Sequence, residues 1–258
     1  MSFIISETEG AVLKIKLNRP DKFNSFNRDM ALQMQEALDK AASDKAVRAI
    51  YITGEGKAFC AGQDLGEAMD ANGPGLEKIV FEHYNPIIKK IRFIEKPIVC
   101  GVNGVAAGAG ANIALACDIV IAAASATFLQ AFVKIGLIPD SGGTFFLPRL
   151  IGFQKASALM MLGEKVSAND ALQMGMVYKV CEDDKLQTDA MLIAKTLSEM
   201  PTKGIGLTKR LLNDSMSNTL EEQLGNEGKL QVEAAKSYDF NEGVKAFLEK
   251  RKPVFKGE

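Results

Sequence analysis

Two glycine-containing segments and one aspartate carry the chemistry open to this sequence. The first segment is Ala58-Phe59-Cys60-Ala61-Gly62-Gln63-Asp64-Leu65; the second is Asn103-Gly104-Val105-Ala106-Ala107-Gly108-Ala109-Gly110. Each ends a strand and precedes a helical stretch. Small residues let a ligand approach the main chain closely, and the first amides of a helix are unpaired and point outward. Two such amides converging on one oxygen make an oxyanion hole. The same glycines also suit tight turns and close helix packing, and spacing alone leaves both readings open. The aspartate is Asp140, in Pro139-Asp140-Ser141-Gly142-Gly143. Its apolar neighbours Phe132, Ile138, Phe145 and Phe146 would raise its pKa by burial, whereas a place before a helix starting near Ser141 would lower it. Aspartate is also a favoured helix N-cap, a purely structural role.

Other chemistries lack their residues. His83 is the one histidine, no G-x-S-x-G elbow accompanies it, and it reads as a helix-surface residue. Asp140-Ser141-Gly142-Gly143 superficially resembles a trypsin-type serine motif, but the histidine base and disulfide-bonded barrel that it needs are missing. No H-E-x-x-H or Cys/His cluster suggests a metal. Gly108-Ala109-Gly110 lacks the third glycine of a dinucleotide fingerprint. Phe81, Tyr84, Phe132 and Phe145 suit an aromatic pocket or plain core equally.

The elements around these segments read as α/β. Val12 to Leu17 alternates apolar residues with Lys14 and Lys16, a half-exposed strand; Asp29 to Ala42 has helical spacing; Val47 to Thr53 is a strand. Asn72-Gly73-Pro74-Gly75 breaks the chain before a helix over Leu76 to Ile94. Strands follow at Pro97 to Val102 and Asp118 to Ala123, with a helix at Gly108 to Ala116 between them. From about Phe153 the chain is helical, apart from a strand at Val177 to Val180. Strands alternating with helices point to crossover connections, and no repeat of fixed period is visible.

The 258 residues are 47% apolar and 24% charged, an ordinary globular balance, with 31 basic and 32 acidic side chains. A net charge of −1 argues against a dedicated nucleic-acid binder. Cys60, Cys100, Cys117 and Cys181 are scattered and read as free thiols of a reducing compartment. The N-terminus has no signal-peptide pattern, and the apolar stretch Ile113 to Phe128, interrupted by Asp118, falls short of a membrane span. A cytoplasmic location is expected.

Taken together, Asn18-Arg19-Pro20, Phe59 to Leu65, Lys96-Pro97, Asn103 to Gly110, Cys117-Asp118, Gly136 to Thr144 and Leu147-Pro148-Arg149 resemble the enoyl-CoA hydratase/isomerase (crotonase) superfamily. Glu242-Gly243, Ala246-Phe247 and Lys250-Arg251 are similar to its C-terminal signature. The resemblance implies a crotonase-type core of β-β-α units over residues 1–200. It implies a C-terminal helical region, 201–258, that builds a homotrimer or hexamer. The substrate would be an acyl-CoA thioester, with no separate cofactor and no metal. Its thioester oxygen would be held by the amides of Gln63 and Ala109, alanine standing where the family usually has glycine. Lys22 and Phe23 match the pantetheine and adenine contacts, Ala61, Gly62, Asp64 and Leu65 the loop on the nucleotide side, and Phe247 and Lys250 a cover over the CoA of a neighbouring subunit.

One departure decides the expected reaction. The two glutamates of typical hydratases fall on Asn112 and Phe132, neither of which exchanges a proton usefully. Asp140 is then the single acid/base, which suits isomerisation through a thioester enolate. The string Lys134 to Thr144 is most similar to family members that isomerise ring-epoxidised phenylacetyl-CoA, and also to Δ3,Δ2-enoyl-CoA isomerases. The rivals are a 2-enoyl-CoA hydratase, a haloaryl-CoA dehalogenase using His83 as base, and a non-enzymatic RNA-binding or assembly scaffold resting on Lys89, Lys90 and Arg92.

Overall fold

A computed structural model describes residues 2–258. The chain opens with β1 (Ile4–Glu9) and β2 (Val12–Leu17), crosses through α1 (Arg28–Ser43), and enters β3 (Ala49–Gly54) and β4 (Ala58–Cys60). A helical excursion follows: α2 (Leu65–Ala68), α3 (Gly75–Lys78), a π-helical turn at Ile79–Tyr84, and α4 (Asn85–Phe93). Then come β5 (Ile98–Val102), β6 (Val105–Ala107), α5 (Ala109–Leu115), β7 (Ile119–Ala123) and β8 (Thr127–Leu129). The remainder is α6 (Gly143–Ile151), α7 (Phe153–Leu162), β9 (Lys165–Ser167), α8 (Ala168–Met174), β10 (Lys179–Cys181), α9 (Leu186–Glu199), α10 (Thr202–Asp214), α11 (Leu220–Ala234) and α12 (Tyr238–Leu248).

Two sheets share these strands. The larger runs β1-β2-β3-β5-β7-β10 and is antiparallel only between β1 and β2. The smaller runs β4-β6-β8-β9 and is antiparallel only between β8 and β9. Three times in succession the chain lays a strand in the large sheet and the next in the small one: β3 then β4, β5 then β6, β7 then β8. This is the β-β-α repeat of a crotonase fold. Its copies start at Ala49, Ile98 and Ile119, unevenly spaced because α2 to α4 are inserted in the first, so no sequence period betrays them. The short strands β4 and β6 lie inside the two glycine-containing segments.

Sequence and structure agree where periodicity is strong. In β2, Lys14 and Lys16 are half-buried between buried neighbours; Lys16 pairs with Glu55 at 2.9 Å and Lys14 lies over the Tyr51 ring. Every residue of β3 and of β5 is buried, as expected of central parallel strands. All four cysteines carry free thiols, three of them buried. Among the described residues no helix is long and apolar enough to cross a membrane.

The C-terminal helices differ from this core. α11 buries none of its residues. Leu212, Leu220, Leu224, Phe240, Phe247 and Leu248 are exposed, Phe247 by 82%, and a groove of about 460 Å³ runs between Gln231, Phe240, Val244 and Leu248. Exposed apolar side chains clustered on these helices are the kind of surface that self-association would cover. Sedimentation at micromolar concentration should therefore give a species several times heavier than the 27.9 kDa chain; a stable monomer would contradict this.

Candidate active site

β4, β6 and β8 are parallel neighbours, so the segments leaving their carboxyl ends emerge side by side. β4 delivers Ala61 to Leu65, β6 delivers Gly108 and Ala109, and β8 leads into the stretch that carries Asp140. In open α/β sheets this edge is where ligands bind.

The first two segments touch. A Cβ on Gly62 would stand 3.0 Å from the Ala107 carbonyl oxygen and 3.5 Å from the Ala109 nitrogen. Gly62 and Gly108 both have positive φ, +94° and +53°, which turns the chain sharply just before Gln63 and Ala109. Gly110 presses the start of α5 onto β4, where an added Cβ would fall 2.3 Å from the Cys60 carbonyl oxygen. The amides of Gln63 and Ala109 have no hydrogen-bond acceptor among the described residues; their neighbours do, Gly62 donating to Cys60 Sγ and Asp64 to the Phe26 carbonyl.

A second ring of contacts fixes the Gln63 segment. Phe26 donates to the Gly62 carbonyl, and Ala61 to that of Phe23. Asn24, buried at φ +55°, accepts from the Arg19 amide and donates to the carbonyls of Glu55 and Ala58. Arg19 pairs with Asp64 at 2.7 Å, and the same Asp64 caps α2 by accepting from Gly66 and Glu67. Burial raises the Asp64 pKa, but Arg19 and those two amides outweigh it and hold the carboxyl below its ordinary value. The Asp64 side chain thus fastens the loop, a role that sequence reading missed. Lys22, Phe23, Ala61 and Leu65 form an exposed rim around it.

Asp140 is tied to α5 through Asn112. The Asn112 amide, one turn beyond Ala109, donates to the Asp140 carbonyl at 2.8 Å and accepts from the Gln130 amide at 2.8 Å. Gly143 also donates to the Asp140 carbonyl and packs so closely on Asn112 that a Cβ would fall 2.4 Å from Nδ2. Asn112 therefore has a structural task where the resemblance implies a glutamate. Phe132 is buried, its ring 3.7 Å from where a Gly108 Cβ would lie. The Asp140 carboxylate accepts from the Ser141 hydroxyl at 2.9 Å and from its own backbone N–H, and has no cationic partner among the described residues. Burial wins: it pushes the Asp140 pKa above the ordinary carboxylate value against the opposing hydrogen bonds from Ser141 and from its own backbone N–H.

The structure corrects several expectations. α6 starts at Gly143, later than Ser141, and its N-cap is Gly142 with no side-chain cap; Asp140 caps nothing. His83 is buried, because the π turn points the adjacent His83 and Tyr84 both inward. Burial lowers the His83 pKa, and neither ring nitrogen has a partner. Cys60 beside the site is no nucleophile, since burial pushes its thiol up to about 12. Of the four candidate pocket aromatics, Phe81 is exposed by 66% and Phe145 lies under Arg149, leaving Tyr84 and Phe132 inside. The Lys89, Lys90 and Arg92 cluster is partly neutralised: Lys90 pairs with Asp39, and Arg92 with Asp118 at 3.1 Å and with Asn213. Phe247 and Lys250 are not brought to the loops within the chain; no hydrogen bond or ion pair joins α12 to either segment.

Comparison with known proteins is consistent along the whole chain. The enoyl-CoA hydratase/isomerase family profile matches residues 7–258. The 1,2-epoxyphenylacetyl-CoA isomerase of Escherichia coli K12 is 46% identical over 261 residues, covering 100% of both chains. A protein of Rhodobacter capsulatus described as a probable enoyl-CoA hydratase is 43% identical, covering 94% of this chain and 93% of its own. The crystal structure of the enoyl-CoA hydratase from Bacillus anthracis superposes with a TM-score of 0.93 at 32% identity, covering 100% of both chains. The chain belongs to the enoyl-CoA hydratase/isomerase family.

Proposed function

We propose that this protein is an acyl-CoA isomerase that works through a thioester enolate. The observation that carries the reading is one half-buried carboxylate without a cationic partner, Asp140, tied to the same short helix whose first amide, Ala109, stands free beside that of Gln63. The thioester oxygen accepts from the Gln63 and Ala109 amides, which are fixed by the strands and need no reorganisation as charge develops. Asp140 takes a proton from the carbon next to the thioester. The electron pair moves into the carbonyl as the enolate, and its return places the proton on another carbon. Hydration would require a second group to activate water, and Asn112 and Phe132 stand where the resemblance places it. The similarity to an epoxyphenylacetyl-CoA isomerase supports a ring-epoxidised phenylacetyl thioester as substrate, opening to the seven-membered oxepin, with an enoyl-CoA Δ-isomerase as the related activity. Lys22, Phe23, Ala61, Gly62, Asp64 and Leu65 would flank the CoA, and Phe247 and Lys250 of a second copy would complete it. Free thiols fit a reducing cytoplasm.

Asp140→Asn is the test. Turnover of 1,2-epoxyphenylacetyl-CoA or a 3-enoyl-CoA should fall by roughly 10²–10⁴, the usual worth of a general acid/base, and exchange of the substrate α-proton with solvent deuterium should fall with it. CoA-thioester affinity measured by calorimetry should stay within a few-fold. In the parent, kcat/KM should decline as pH falls through the Asp140 pKa, with an acid limb above 3.8. Isomerisation by the variant at the parental rate would reduce Asp140 to a structural residue.

The same carboxyl makes a stability prediction. Its folded pKa lies above its unfolded value, so between the two the folded state holds more protons, and stability falls as pH rises across that window. Above the window the buried charge is a standing cost. Asp140→Asn removes it and should melt at a higher temperature than the parent at pH 7, the gap closing as pH approaches 3.8. Thermal unfolding across that range decides it; equal melting temperatures at pH 7 would refute the argument.

A further inference from the structure

Tyr84 is 1% exposed, and its hydroxyl has no hydrogen-bond partner. An unsatisfied buried hydroxyl is costly, and phenylalanine would fill the same space without that cost. The chain nevertheless builds a special piece of backbone to hold it. The π turn at Ile79–Tyr84 lies between two α-helical stretches, and Asn85 donates back five residues to the Val80 carbonyl. The Gln35 side chain on α1 donates to the carbonyls of Glu82 and His83, at 2.8 and 3.1 Å, and pins the turn. Such turns recur at functional sites.

Two contacts set the Tyr84 ring against the elements of the proposed site. The ring packs on Phe26, centroids 5.9 Å apart, and the Phe26 main chain clasps Gly62 and Asp64. Ile88, one helical turn on and so on the same face, lies 3.6 Å from where a Gly142 Cβ would stand, beside Asp140. Burial, with smaller contributions from the nearby Asp140 and Glu67 carboxylates, pushes the phenol pKa well above the ordinary value. Tyr84 is therefore a permanent donor and no base. The polar groups around it are already engaged: Asp140 by Ser141, and Glu67 by the Arg28 amide and the Gln63 side chain.

We propose that the Tyr84 hydroxyl donates to an oxygen carried by the acyl group itself, distinct from the thioester oxygen, and so selects oxygenated acyl-CoA thioesters over hydrocarbon ones. This rests on the thioester site proposed above and names its specificity residue. A site built around a donor discriminates against the analogue that leaves the donor unpaired.

The test separates recognition from turnover. The probes are phenylacetyl-CoA and 2-hydroxyphenylacetyl-CoA, bound to the full-length protein by calorimetry, with Tyr84→Phe as the variant. The parent should prefer the hydroxylated thioester by about tenfold, the net worth of one neutral to strong hydrogen bond, and Tyr84→Phe should erase the preference while binding phenylacetyl-CoA as before. Because the orphan hydroxyl is removed, Tyr84→Phe should melt no lower than the parent. A parent that shows no preference, or a variant that keeps it, overturns the proposal. If Tyr84 serves Asp140 instead, the variant would shift the acid limb of the pH–rate profile equally for oxygenated and hydrocarbon substrates, which also overturns it. Loss of the isomerase reading would show differently, as binding preference intact with no Asp140-dependent turnover.

Discussion

The parallel pairing of β4, β6 and β8 is the constraint on which the site depends. Strands of three residues each contribute little stability alone, yet their common direction sends three loops out of one edge. Reversing any one of them would carry its loop to the opposite end. The larger sheet supplies the rigidity: its buried central strands β3 and β5 fix where each short strand begins. Gly54 and Gly104 allow the handover between sheets, since a Cβ on either would collide with the main chain of residues 57 to 59.

Within that frame the polar groups divide into those that hold and those left free. Asn24, Arg19, Asp64, Asn112 and Gln130 make specific bonds to main chain or to one another, and all serve to hold loops still. The Gln63 and Ala109 amides, the Asp140 carboxylate and the Tyr84 hydroxyl are left with partners few or none. Buried polar groups are usually satisfied; those that are not, with Gln63 Oε1, Gln130 Oε1 and both His83 ring nitrogens among them, lie on the site loops and on the π turn packed beside them. Burial of Asp140 without a cation belongs to the same pattern, destabilising the charged form that proton abstraction requires while raising its basicity.

Much of this was legible in the residues. The glycine-rich loops and Asp140 stood out by type and spacing, and β2, α1, β3, β5, α5 and β7 by hydrophobic period. What escaped depended on tertiary placement. β4, β6 and β8 are too short to show alternation, and β9 hides in a stretch that reads as helical. The inward turn of His83 and Tyr84 needs a π turn, whose one extra residue leaves no mark in a helical pattern. Asn112 looked like an empty position because a missing carboxylate is visible in a sequence, whereas a hydrogen bond to a carbonyl 28 residues away is not.

The two free amides have a consequence for how such a protein can change. They belong to the main chain, so no single substitution at Gln63 or Ala109, proline apart, deletes the donor. The carboxylate, by contrast, sits on a separate loop and can be gained or lost by one codon. On the function proposed above, mutation could thus explore which proton is moved, and where, without first surrendering the grip on the thioester. A scaffold arranged this way separates the inherited part of its chemistry from the part that is free to drift.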